Sequence, residues 1–231
     1  MDATIRKFRT ANILLFTCTV LCLVIYDIFG GLWLKGITSS WFVILGAANM
    51  IFARVCGVTD KQILRRILAG LILGMLADVL LGLVFLLGVV CFALGHACYL
   101  IAFFQLEKPC RRDLFCSLPC IAATLICCFC TPFIRIEDPV MSIFLGVYSL
   151  ILGTMLGKAL SNYLHEKSTF RLVLLSGAIL FWFSDIMLGI DMFGRSSRLI
   201  WILCSYTYWP AQALIAHSMY HRITEKQAEN R

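Results

Sequence analysis

Charge is what this sequence has least of. Asp, Glu, Lys and Arg make up 14% of its 231 residues against 61% hydrophobic ones, and mean hydropathy is +0.89. An ordinary soluble domain is excluded, since it needs far more charged surface to face water. Soluble-enzyme motifs are missing too: there is no G-x-S-x-G elbow and no phosphate-binding glycine loop. Histidine is scarce, with only His96, His165, His217 and His221. A three-histidine zinc centre would need nearly all of them. His217 and His221 lie near Arg222, whereas His96 is about 10 Å deeper by helical rise and His165 falls in a loop. No metal site and no cofactor is expected.

What is present is a series of apolar runs long enough to cross a bilayer: 13–28, 40–54, 67–82, 84–105, 114–131, 140–161, 172–190 and 199–219. The expectation is one all-α, polytopic integral membrane domain over 1–231 with about eight transmembrane helices. The basic amino terminus reads as a retained signal anchor, because no small-residue cleavage site follows the first run. The stretch 68–104 can be cut as one long helix, as two spans with a tight turn near Gly82, or as a span and a re-entrant piece. With two spans, only Lys35, Arg135, Arg195 and Arg198 fall on one side; the other sixteen of the 20 Lys and Arg, from Arg6 to Arg231, fall opposite. The positive-inside rule then makes both termini cytoplasmic. The same rule accounts for the net charge of +7 without invoking nucleic acid.

Most of the twelve cysteines lie inside apolar runs and read as small hydrophobes. Cys56, Cys110 and Cys116 lie near the basic loops, where a reducing cytosol disfavours disulfides and palmitoylation is an option. Lys158 reads as a snorkelling residue that sets topology, with a lipid phosphate as an alternative partner. Asp27 and Asp191, at span ends, are explained by solvation. Gly70 and Gly74 read as a close-packing face.

Asp78, His96 and Asp185 are different, because they lie inside apolar runs. A carboxylate at bilayer depth costs at least ~2.5 kcal/mol on insertion scales, so two of them suggest one shared buried site. Helical rise from the nearest basic residues puts Asp78 and His96 about 18 Å, and Asp185 and Tyr208 about 21 Å, from the cytoplasmic side. Four polar groups therefore occupy one layer. Asp78 and Asp185 also share D-x-x-L-G across 107 residues. A parallel four-helix repeat and coincidence both fit so short a match.

At these residues the sequence resembles the lysoplasmalogenase family, the YhhN-like eight-span membrane proteins. The shared pattern comprises LADVLLG around Asp78, with Ala77 replacing the usual Gly; Phe85, Gly88, Phe92, His96 and Tyr99; Tyr148, Met155 and Lys158; Leu180, Phe181, Ser184 and Asp185; and Tyr208 and Gln212 in YWPAQ. Trp209 and Pro210 depart from it. Lys35 stands where the family has a first-loop lysine, but Gly36, Ile37 and Thr38 follow in place of a proline.

The resemblance implies hydrolysis of the vinyl ether of a lysoplasmalogen to a fatty aldehyde and glycerophospho-ethanolamine or glycerophospho-choline. Its partners would be a lysophospholipid substrate and the bilayer, with a homo-oligomer left open and the endoplasmic reticulum expected in a eukaryote. Vinyl ether cleavage needs an acid and a base, and two nearby carboxyls in low dielectric can divide those roles. Asp78 and Asp185 are the candidate catalytic pair, with the donor undecided; pairing with a buried His or Tyr to fix helix register is the plainer alternative for each. His96, Tyr99, Tyr148, Tyr208, Gln212 and Lys35 are candidate substrate-binding residues. For His96 a place in the core beside a tyrosine, and for the tyrosines and Gln212 simple helix packing, are the plainer alternatives. A small transporter or lipid sensor is the non-enzyme alternative, since it too would use intramembrane carboxylates.

Overall fold

The computed structural model describes residues 2–58 and 61–229. Arg231, counted above with the cytoplasmic-side cations, lies outside the described residues. Among the described residues there are eight α-helices: α1 Asp2–Phe29, α2 Leu32–Val55, α3 Gln62–Leu80, α4 Phe85–Leu106, α5 Arg111–Leu125, α6 Pro139–His165, α7 Thr169–Phe193 and α8 Arg198–Glu229. A π-helical turn, Ile126–Cys130, continues α5. Seven of the eight are long and apolar enough to cross a membrane. The exception is α3, whose 19 residues include Arg65, Arg66 and Asp78. The protein is an all-α, multi-pass membrane protein.

Local chemistry sets the helix ends. At the α1–α2 junction Gly30 and Gly31 take φ of 65° and 94°, a region other residues rarely adopt, so the two helices are separated by a tight break. This corrects the expected start of the second span. The helix begins at Leu32 rather than at 40, and Lys35 stands in its first turn instead of in a loop. The stretch 68–104 is two helices with a tight turn near Gly82 and not one long helix, since α3 stops at Leu80 and residues 81–84 turn the chain into α4 through bonds such as Val84 N to Leu80 O, 2.7 Å. Asp138 caps α6 by accepting from Val140 N at 2.9 Å, ahead of Pro139 at the first helical position. Ser168 caps α7 through Arg171 N.

Successive helices run antiparallel, and part of their packing repeats after four helices, although the pairs α1–α8 and α3–α8 have no comparable counterpart among the described residues. The pairs α1–α2, α2–α3, α3–α4 and α2–α8 have counterparts in α5–α6, α6–α7, α7–α8 and α6–α4. The apolar core runs through both halves, from Phe42 and Leu71 to Phe181 and Ile215. Buried polar contacts fasten the basic end. Asn12 and Asn49 exchange amide hydrogen bonds of 2.8 and 2.9 Å between α1 and α2, and Asn49 also donates to Ala216 O on α8.

Lys158 does not snorkel. It is fully buried on α6 and pairs with Asp113 of α5 at 2.8 Å, while Ser161 donates to the other carboxylate oxygen. An ammonium so placed satisfies the carboxylate locally and clamps α5 to α6. Asp27 is likewise not merely solvated, because Arg198 and Tyr206 of α8 both donate to it.

Candidate functional site

Both intramembrane aspartates line one cavity of about 240 Å³, together with Lys35, Asp191 and Tyr208. By helical rise, Tyr208, Tyr148, Asp185 and Ser39 lie about 10–15 Å inside the helix ends opposite the basic loops. Asp78 joins this level through its contacts with Ser39 and Tyr208, and His96 through its contact with Asp185. The level lies on that side of the helix midpoints, and only two residues of α3 follow Asp78.

Asp78 is surrounded by donors. Its Oδ2 accepts from Ser39 Oγ at 2.5 Å and from Tyr208 OH at 2.8 Å, and its Oδ1 lies 3.9 Å from Lys35 Nζ. Trp209 Nε1 donates to Ser39 Oγ at 3.1 Å, so the serine proton is left for the carboxylate. Behind Tyr208, Gln212 Nε2 donates to the phenol at 3.4 Å, and Tyr99 OH donates to Gln212 Oε1 at 2.6 Å. Ser39 and Tyr208 donate directly to Asp78, and Trp209, Gln212 and Tyr99 orient those two hydroxyls, an arrangement that suits a carboxylate acceptor.

Asp185 is held differently. Tyr148 OH donates to Oδ2 at 2.5 Å, and His96 Nε2 lies 3.2 Å from the same oxygen. His96 Nδ1 is 2.7 Å from Phe92 O, and a carbonyl can only accept, so Nδ1 carries a hydrogen. A neutral imidazole would then turn a bare Nε2 toward a carboxylate oxygen. One proton between the two removes that conflict, whether it sits on the ring or on the carboxyl. The contact lacks the alignment of a hydrogen bond, which leaves Nε2 a buried nitrogen in electrostatic contact only.

The two aspartate environments meet at Phe181. Its ring stands edge to face with His96, centroids 4.5 Å apart, and with Tyr208, 5.4 Å apart. A second, narrow cavity of about 60 Å³ runs between α4, α6 and α7, lined by Val89, Leu145, Tyr148, Asp185 and Leu188 among others. Phe92, Asp185 and Leu188 line both cavities. Asp185 thus lies where a polar chamber joins an apolar slot.

Of the candidate residues, Asp78, Asp185, Tyr208 and Lys35 line the chamber and Tyr148 lines the slot. His96, Tyr99 and Gln212 line neither; they sit behind the aspartates and hold them or their partners. Gly70 and Gly74 do form a close-packing face, against side chains of the site. A Cβ on Gly70 would come 2.3 Å from the Tyr99 ring, and one on Gly74 would come 2.6 Å from Gln212 Nε2. Ser39 and Trp209 escape sequence reasoning because a serine and a tryptophan in an apolar run look ordinary. The only signal was that Trp209 departs from the family pattern.

A family model described as the YhhN family matches residues 38–219. No curated protein and no solved structure matches the chain.

Proposed function

Because the chain belongs to the YhhN family, of which lysoplasmalogenase is a member, we propose that it hydrolyses the vinyl ether of lysoplasmalogens inside the membrane. The observation that carries this reading is the unequal setting of two carboxyls on one cavity. Asp78 accepts from two hydroxyls beside the Lys35 ammonium, whereas Asp185 accepts from one hydroxyl and has the imidazole Nε2 of His96 3.2 Å away. An acid and a base face the same space.

In this reading the alkenyl chain lies in the slot between α4, α6 and α7, and the glycerol and head group occupy the polar chamber. The Asp185–His96 pair gives its proton to the vinyl carbon distal to oxygen, leaving an oxocarbenium ion at the carbon bonded to oxygen. Asp78 stabilises that cation and takes a proton from the water that adds to it. The resulting hemiacetal collapses as Asp185 accepts its hydroxyl proton and Asp78 returns a proton to the glycerol oxygen. Aldehyde and glycerophosphodiester leave, and both carboxyls regain their starting states. Proton transfers of this kind contribute about 10²–10⁴-fold each.

The test is fatty-aldehyde release from a lysoplasmalogen by detergent-purified protein, beside Asp78→Asn and Asp185→Asn. Both variants are expected to keep the wild-type gel-filtration profile and to lose turnover by at least about 10²-fold. Near-normal turnover by either variant removes that residue from the mechanism, and no release from folded wild-type protein overturns the reading.

A further inference from the structure

The mouth of the polar chamber carries charges that the proposed chemistry does not use. Asp191 lines the chamber six residues beyond Asp185 on α7, about 9 Å toward the helix end. Among the described residues no Lys or Arg pairs with it, and its one side-chain partner is the Ser196 hydroxyl, which donates to Oδ1 at 2.5 Å. The rings of Tyr26 and Trp201, with centroids 5.9 Å apart, line the same chamber. Trp201 already takes a cation on its ring, the Arg198 guanidinium at 4.5 Å, whose charge Asp27 neutralises. The chamber's one cationic lining residue, Lys35, carries its ammonium inward to 3.9 Å from Asp78 Oδ1.

We propose that this mouth is a zwitterion site, in which Lys35 takes the phosphate of the substrate and Asp191, flanked by Tyr26 and Trp201, takes the terminal ammonium. The proposal rests on the hydrolase reading for the orientation of the lipid, with its chain in the slot. The order of charges along the chamber, cation deep and anion at the mouth, is the order of phosphate and amine in glycerophospho-ethanolamine and glycerophospho-choline. A carboxylate without a cationic partner beside two aromatic rings is the setting that favours an ammonium or quaternary ammonium group. Asp191 is then a specificity-determining residue that touches the head group and not the reacting atoms.

The experiment uses purified full-length protein, wild type and Asp191→Asn, with Asp191→Glu as the conservative variant. Aldehyde release is measured on 1-alkenyl-glycerophosphocholine and on 1-alkenyl-glycerol-3-phosphate, which lacks the ammonium. Binding of the corresponding non-hydrolysable 1-alkyl lipids is followed by tryptophan fluorescence. Asp191→Asn is expected to lower kcat/KM and affinity for the choline lipid by about 10-fold, to leave the phosphate lipid within about twofold, and to be rescued by Asp191→Glu. Equal effects on both lipids, or none on either, overturn the zwitterion site while aldehyde release keeps the hydrolase reading intact. Absence of aldehyde from every lipid, with head-group discrimination in binding retained and lost in Asp191→Asn, leaves the site standing and sinks the hydrolase.

Discussion

Asp78 and Asp185 receive hydroxyl hydrogen bonds of equal length, 2.5 Å, each from the helix that precedes its own: Ser39 on α2 and Tyr148 on α6. Their second partners, Tyr208 on α8 and His96 on α4, are again four helices apart. The two half-sites thus share one plan, and they differ in what the second partner can do with a proton. The Tyr208 phenol, fixed by Gln212, turns its hydrogen to Asp78, whereas an imidazole like that beside Asp185 is able to take up and release a proton.

That difference predicts the effect of His96→Gln. Glutamine keeps a polar end near Asp185 but cannot carry the shared proton. We expect kcat to fall by about 10²-fold with KM little changed, and the alkaline limb of the kcat/KM profile, where the proton donor must keep its proton, to move. A parallel loss in kcat with an unmoved pH profile would make His96 a packing residue. Tyr208→Phe, which removes a donor to Asp78, is expected to lower the rate while leaving that limb in place.

Close packing behind the site gives a stability prediction. Gly70 lies under the Tyr99 ring, so Gly70→Ala forces the ring, and with it Gln212 and Tyr208, to shift. Overpacking of this kind costs about 1–3 kcal/mol. Thermal unfolding in detergent should show a lower Tm for Gly70→Ala, partly restored when Tyr99→Leu is added. An unchanged Tm in the single variant would mean that the ring moves at no cost.

Much of this was legible in the sequence because bilayer physics is coarse. Hydrocarbon tolerates only helices with few charges, so run length and the placement of Lys and Arg gave the eight helices and the turn at Gly82. Asp78, His96, Asp185 and Tyr208 stood out for the same reason, and they do meet in pairs. The pairing itself was hidden, since depth says nothing about azimuth: Asp78 takes Tyr208 and Asp185 takes His96 because of which helices adjoin. Lys158 was misread because a lysine near a span end usually reaches water, and its partner Asp113 lies 45 residues away on another helix. The α2 start was misplaced because Lys35 looked like a loop residue, when Gly30 and Gly31 already supply the break.

At the basic end, Glu107 follows α4 and meets Arg171 at 2.8 Å and His165 at 3.2 Å. Burial pushes its carboxyl up, but the hydrogen bond from Arg171 and the neighbouring positive charges outweigh that and hold it below the usual glutamate value of 4.5. A carboxyl lowered in the folded state contributes stability above its unfolded value, and loses it as pH falls through the folded one. Arg171→Gln should therefore lower Tm at neutral pH, with the gap from wild type narrowing below pH of about 4. Glu166, 2.6 Å from the same guanidinium, adds to the pH-dependent part, and a gap independent of pH would assign the loss to the uncharged Arg171 bond, to Asn162 O at 2.7 Å.

The Lys158–Asp113 pair yields the largest expected effect. Lys158 is fully enclosed and Asp113 nearly so, with Ser161 Oγ and Cys110 N as the carboxylate's remaining donors. Removing the ammonium alone leaves a charge stranded in low dielectric, which costs about 3–5 kcal/mol. Lys158→Met should accordingly lower Tm steeply or prevent recovery of folded protein. Lys158→Met combined with Asp113→Leu removes both charges and should recover much of the loss, because a matched apolar pair carries no desolvation cost. If the double variant were as unstable as the single one, the clamp between α5 and α6 would depend on the hydrogen bonds of Asp113 to Ser161 and Cys110. Both variants leave the aspartates of the chamber untouched, so the double variant is expected to keep head-group selectivity once it folds.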